Sequence, residues 1–133
     1  MAYAMANTTE EGKKMPSTLE PRGGLYYGWD SGESGWENQV DANWNRIGAI
    51  MQIGIIDRDL TAPPGSPSVG DCYIVASVAT GAWAGQEDNI AIRRTGSVWE
   101  FYTPEMGWLC FIEDESVLSV FKTGTAWSAG VAI

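Results

Sequence analysis

The sequence predicts a mainly β fold: an extended N-terminal arm, one amphipathic α-helix, then a small antiparallel β-domain, meander or barrel-like, of five or six strands. Three observations carry this. Short runs rich in Tyr, Ile, Val, Trp and Phe recur at roughly ten-residue spacing through the second half of the chain. A single stretch ahead of them has apolar residues at helical spacing. The segment before that shows neither period. At 133 residues the chain holds one real core and not two, and its 44% apolar and 19% charged composition is that of a globular domain.

The arm is residues 1–33. Met1 to Ala6 is weakly apolar, Asn7 to Lys14 is polar, and Pro16, Pro21, Gly23, Gly24 and Gly28 punctuate the stretch from Met15 to Asp30. Such a segment cannot by itself offset a backbone ordering cost of about 1–2 kcal/mol per residue. Yet Tyr3, Met5, Met15, Leu19, Leu25, Tyr26, Tyr27 and Trp29 are more apolar anchors than a solvated tail needs. The expectation is an arm that orders against another protein, with a plain solvated tail as the alternative. Fully extended, it reaches about 100 Å at roughly 3.3 Å per residue.

The helix occupies residues 34–53. Ser34-Gly35-Trp36-Glu37 has the form of a capping box, in which Ser34 and Glu37 satisfy each other's amides. Trp36, Val40, Asn43, Ile47 and Ile50 then recur at alternating spacings of four and three, with Trp44 and Met51 beside them. This face is wider than packing on one small sheet requires. A polar Asn43 on an apolar seam is a device that fixes register and oligomer state. Trp36, Val40, Asn43, Trp44, Ile47, Ile50 and Met51 are therefore candidate contacts of a homotrimer. In the competing arrangement the helix packs on its own β-domain and Asn43 bonds to a loop.

The β-domain is residues 54–133. Thr61 to Pro67 is a loop by its Pro and Gly content. Strands are expected at 71–77, 89–94, 98–103, 108–113 and 117–121, with Thr95-Gly96-Ser97 and Pro104-Glu105-Met106-Gly107 each closing a hairpin. Apolar residues fall on both faces of these strands (Trp99, Phe101 and Tyr102; Trp108 to Ile112), so the second face should also be covered, as a partner subunit would do.

Charge and residue types exclude much. With 17 acids against 8 bases the net charge is −9, and the only basic pairs are Lys13-Lys14 and Arg93-Arg94. Nucleic acid and anionic membrane are poor partners for such a chain. There is no histidine, which removes the usual general base and the commonest metal ligand. Asp57-Arg58-Asp59 and Glu113-Asp114-Glu115 have no spacing of a calcium loop or a catalytic pair; Arg58 is expected to lock a corner by pairing with a neighbouring acid. No enzyme activity, metal or cofactor is expected. Cys72 and Cys110 sit in apolar runs and read as buried thiols, a disulfide requiring adjacent strands. No run is long enough to span a membrane and no leader is evident, so a soluble protein is expected. The 7 tryptophans are the unusual count. Trp83, in the small-residue loop Thr80 to Gly85, is the best candidate for an exposed ring stacking on a sugar, although core packing is the commoner use of Trp.

Four blocks in order, Ile56 to Pro64, Pro67-x-x-Gly70-Asp71-x-Tyr73-Ile74-Val75, Ala79 to Gly85, and Trp99-x-Phe101-Tyr102-x-Pro104-x-x-Gly107-Trp108, resemble an uncharacterised domain family found in tail-fibre, spike and related virion proteins of tailed phages and in gene transfer agents. The likeness covers about residues 36–127 and brings no catalytic residues. It implies a structural component of a phage virion, assembled in the host bacterial cytoplasm: a tail fibre, adaptor, or capsid-surface decoration or spike. Fibre and spike components of this kind imply a homotrimer, docked by the arm onto other virion proteins of the tail, baseplate or capsid. Family members often continue into long receptor-binding or carbohydrate-binding regions, whereas this sequence stops a few residues after Trp127, so a complete long fibre with a receptor-contacting tip is not expected. A module recognising host surface glycan through Trp83 is the alternative, and a cell-wall hydrolase with a carboxylate pair is a third reading.

Overall fold

The computed structural model describes residues 18–122 and 126–133. Tyr3, Met5 and Met15 lie outside the described residues. The chain is mainly β, with one α-helix and ten strands among the described residues. It divides into two compact units at Met51–Gln52.

In the first unit, β1 (Thr18–Leu19) pairs antiparallel with β2 (Tyr26–Tyr27). The turn between them is built by Glu20, whose carboxylate accepts the amides of Arg22 and Gly23. The part of the arm expected to stay extended is thus a hairpin. Helix α1 (Trp36–Ile50) comes next. Asn43 accepts the Tyr26 amide at 2.7 Å and donates to the Tyr26 carbonyl at 2.8 Å, so its side chain acts as a further strand residue on the edge of β2. One turn along, Arg46 donates to the Gly23 carbonyl. Gly24 takes the left-handed conformation, φ 67°, which favours glycine, and a Cβ there would come within 2.9 Å of the Arg46 guanidinium and push it aside.

Asn43 therefore has a local partner, which corrects its expected place on an oligomer seam. The capping box is also absent. Gly35 takes the N-cap position in the left-handed conformation, φ 80°, with no side-chain cap, so the cap falls one residue past Ser34. Glu33 instead accepts the Asp30 amide at 2.9 Å.

The second unit carries β3 (Ile53–Ile55), β4 (Cys72–Ile74), β5 (Ile90–Arg93), β6 (Trp99–Tyr102), β7 (Leu109–Ile112), β8 (Val117–Lys122), β9 (Ala126–Trp127) and β10 (Val131–Ala132). One sheet has the order β4-β5-β6; the other runs β10-β8-β7-β3, with β9 also on β8. All five expected strands occur. The three additional ones are two or three residues long, too short to show a period. β3 lies parallel to β7. Past β3 the chain bonds to β4 instead, through Ile56 N–H to the Cys72 carbonyl (2.9 Å) and Ile74 N–H to the Asp57 carbonyl (3.2 Å), so one stretch ties both sheets together.

Thr95–Ser97 does close the β5–β6 hairpin. Pro104–Gly107 does not close a second one: β6 and β7 belong to different sheets, and that turn is the crossover between them. The three-stranded sheet is buried on both faces. Cys72, Ile74, Ile90, Ile92 and Tyr102 fill one, while Tyr73 and Ala91 on the other pack with Val75 and Trp83 beneath Ile56, Leu60 and Ala79.

The Asn43 contact generates a prediction. Asn43→Ala leaves the Tyr26 amide and carbonyl without partners, a loss of about 1–3 kcal/mol. By hydrogen exchange the Tyr26 amide should lose most of its protection, while amides of β5 and β7 keep theirs.

Candidate functional site

The residues singled out for a site fall in four places. The first is α1. Asn43 and Arg46 face the hairpin, and Ala49 is buried. Trp36, Val40, Trp44, Ile47 and Met51 form an adjoining stripe, spaced four, four, three and four. Its outer members are open: Trp36 is 43%, Trp44 65% and Met51 66% exposed. Ile50 is half-buried. Of the arm anchors, Leu19 and Tyr27 are exposed, and Leu25, Tyr26 and Trp29 are half-buried in the first unit. Tyr26 is held by Asn43, so it serves the fold of this chain.

The second place is Trp83. It sits in a single 3-10 turn, Gly81–Trp83, and the ring is fully buried, which corrects its expected exposure to a glycan. Its centroid lies 5.5 Å from that of Tyr73 and 5.1 Å from that of Trp99. Arg93 covers Trp99, its guanidinium 5.5 Å from the ring centre. The physical reason is the small residues beside Trp83, namely Gly81, Ala82, Ala84 and Gly85, which let the loop turn inward so that the largest side chain closes the sheet.

The third is the acidic corner. Arg58 locks it as expected, but its partner is distant in sequence. Its guanidinium grips both oxygens of Glu115, at 2.5 and 2.6 Å, and donates to the carbonyls of Ser128 and Ala129, both at 2.8 Å. One side chain thus fastens the β7–β8 turn and the segment after β9 to the end of the β3 stretch. Beside it, Asp57, Asp59 and Asp114 bring carboxylate oxygens within 4.8 Å of one another. Two runs that look separate in sequence therefore meet. Asp57 also accepts the Asp59 amide at 2.6 Å, bending the chain at this point.

The fourth is the five-stranded sheet. Cys110 and Ile112 point inward with Ser119, whereas Leu109, Phe111 and Leu118 point outward and are exposed. A hollow of about 270 Å³ opens on this outer side, bordered by Gln52, Gly54, Leu109, Phe111 and Leu118. The helix stripe was legible as an apolar period. This face was legible as the second apolar face of residues 108–112, although what covers it was not.

Neither cysteine is bonded. Burial pushes the Cys72 thiol up to about 12 and Cys110 to about 11. Thiolates are the reactive form, so at pH 8 both should resist iodoacetamide in the folded protein and react at once in denaturant, as mass spectrometry of the alkylated chain would read.

The Arg58 contact holds the Glu115 carboxyl below the usual carboxylate range. A lowered folded value means that its contribution to stability is present above the unfolded value, about 4.3, and is lost as pH falls through the lowered one. Thermal unfolding of the wild type followed downward from about pH 5 should show this loss. Glu115→Gln should start less stable at neutral pH and lack that part of the acid limb.

Comparison with curated proteins finds no match to this sequence. A family model does match, over residues 40–128, from within α1 to just beyond β9. With two-thirds of its length so matched, the chain belongs to the family described as "Protein of unknown function (DUF2793)".

Proposed function

We propose that this protein is a non-enzymatic structural component of a phage virion, a tail fibre or adaptor or a capsid-surface decoration or spike, that assembles as a homotrimer. The observation that carries the reading is the open stripe on α1. Trp36, Trp44 and Met51 are each more than two-fifths exposed on one line of one helix. Monomeric proteins rarely leave such a line uncovered, and a second copy supplies a matching apolar surface. The seam is Trp36, Val40, Trp44, Ile47 and Met51; Asn43 serves the hairpin instead. The virion enters through the resemblance of the four sequence blocks to domains of fibre and spike proteins. The N-terminal segment, with Tyr3, Met5 and Met15, supplies the anchors for a neighbouring virion protein.

A structural role also accords with the chemistry. The sequence has no histidine, and Arg58 beside the acidic corner ties up Glu115 as a structural strut. The glycan alternative rested on Trp83, whose ring lies inside the core.

Light scattering of the full chain should report a trimer, and Trp44→Asp, which places a charge at the seam while leaving the monomer fold intact, should report a monomer. Quantitative mass spectrometry of purified particles should find the protein in tens of copies for a fibre or hundreds for a surface decoration. Its absence from particles would overturn the virion role; a wild type that is monomeric at micromolar concentration would overturn the trimer.

A further inference from the structure

The segment from Ala126 to Ile133 runs along one edge of β8, and its register with that strand slips midway. Trp127 pairs with Phe121 and Val131 with Leu118, so the segment takes four steps where β8 takes three. One extra residue on one strand of an antiparallel pair is a β-bulge. It falls between Ser128 and Val131, where Gly130 takes the left-handed conformation, φ 92°. The bulge interrupts the ladder and leaves β9 and β10 only two residues each.

Side chains hold the carbonyls at this break. Arg58 donates to those of Ser128 and Ala129 while gripping Glu115 with the same guanidinium. Ser119 donates to the Ser128 carbonyl, and the Ser128 hydroxyl accepts the Val120 amide at 3.0 Å. Apolar burial adds little. None of the residues from Ala126 to Ile133 is buried; Val131 is 72% and Ile133 83% exposed. Trp127 packs edge-on against Phe121, centroids 5.3 Å apart, and donates to the Asp88 carbonyl. The core around Trp83, Ile90 and Ile112 is built without this segment.

We infer that residues 126–133 are a strap that opens from β8 as one piece while the rest of the second unit stays folded, with Arg58 as its latch. Segments with few buried apolar contacts are the ones that open below the free energy of global unfolding. Two paired residues do not hold β9 or β10 alone. Arg58 grips the stretch that joins them, so they come away together. Opening uncovers the outer edge of β8, a row of backbone donors and acceptors of the kind that takes up a strand. The strap is the segment whose side chains match that edge, and closed it keeps the edge from pairing elsewhere.

Two neighbouring amides of β8 test this in the full chain. Val120 N–H bonds to the strap through the Ser128 hydroxyl, whereas Phe121 N–H bonds to the Trp108 carbonyl on the other side. Hydrogen exchange followed by NMR should show Val120 exchanging about a hundredfold faster than Phe121, and faster by as much than Val75, which bonds to the Asn89 carbonyl. Mild denaturant should leave the Val120 rate unchanged, because a strap exposes little surface on opening. Ser128 N–H, bonded to the Val120 carbonyl, should match Val120 in protection to within about threefold. Arg58→Lys, which loses the planar fork, should speed Val120 and Ser128 about tenfold further and leave Val75 as it was. Val120 exchanging no faster than Phe121 overturns the strap, and so does a Ser128 rate unrelated to that of Val120. Rates that Arg58→Lys does not change, or changes equally at Val75, overturn Arg58 as the latch. Should Arg58→Lys fail to fold, Glu115→Gln, which frees the guanidinium from its other anchor, takes its place with the same expectation.

Discussion

The second unit depends on one ring being in the right place. The three-stranded sheet has apolar side chains on both faces, so each face must be covered. On the face of Tyr73 and Ala91, Trp83 is the cover. Two loop stretches hold it there by backbone bonds between them: Ala76 N–H to the Leu60 carbonyl at 3.1 Å and Thr80 N–H to the Thr61 carbonyl at 2.7 Å. Burying the indole leaves its Nε1–H without a hydrogen-bond partner, a cost of about 1–3 kcal/mol. Packing a buried Trp contributes about 3–5 kcal/mol on the scale of large-to-small substitutions, and the tilted contacts with Tyr73 and Trp99 add to it. The packing wins. The loops of this domain are therefore structural parts of its core.

A second constraint is Arg58. β3 and the residues just after it reach both sheets in turn, and those residues must be held at the point where the chain leaves one for the other. A guanidinium with Glu115 and two carbonyls as acceptors does this with planar, charge-assisted bonds that a lysine would not match. Ser119, fully buried in β8, donates to the Ser128 carbonyl at 2.8 Å, and Trp127 donates to the Asp88 carbonyl at 2.9 Å. The C-terminal segment is thus stitched down by single polar bonds, because strands of two residues offer few ladder bonds of their own.

The first unit is stabilised differently. Its hairpin is two residues per strand, below what is stable alone in water. It persists because Asn43 extends the strand edge with side-chain atoms and Arg46 caps the turn. The helix consequently commits its polar seam position to its own chain and leaves Trp36, Trp44 and Met51 open. Oligomer contacts and local folding compete for one helix face, and here they divide it.

Sequence alone determined the elements that depend on local chemistry. The period of residues 36–51 made a helix, and β-branched and aromatic runs made β5 to β8 to within a residue at each end, with β4 ending three residues earlier than expected, because both signals repeat within the element itself. An uncharacterised domain family was expected over about residues 36–127, and a family of unknown function matches residues 40–128. Tertiary structure decided what depends on meetings between distant residues. Parallel β3–β7 pairing, Arg58 choosing Glu115 over the acids beside it, and the convergence of Asp57, Asp59 and Asp114 join positions more than 50 apart. Trp83 is the clearest case: its neighbours in sequence are those of an exposed loop, and only the loop's path over the sheet makes it core. Asn43 is the converse, a residue whose spacing fitted an oligomer seam until a short hairpin, invisible to any periodicity, arrived to bond it. Local propensity specifies segments; which surfaces they bury is settled by the partners that folding brings.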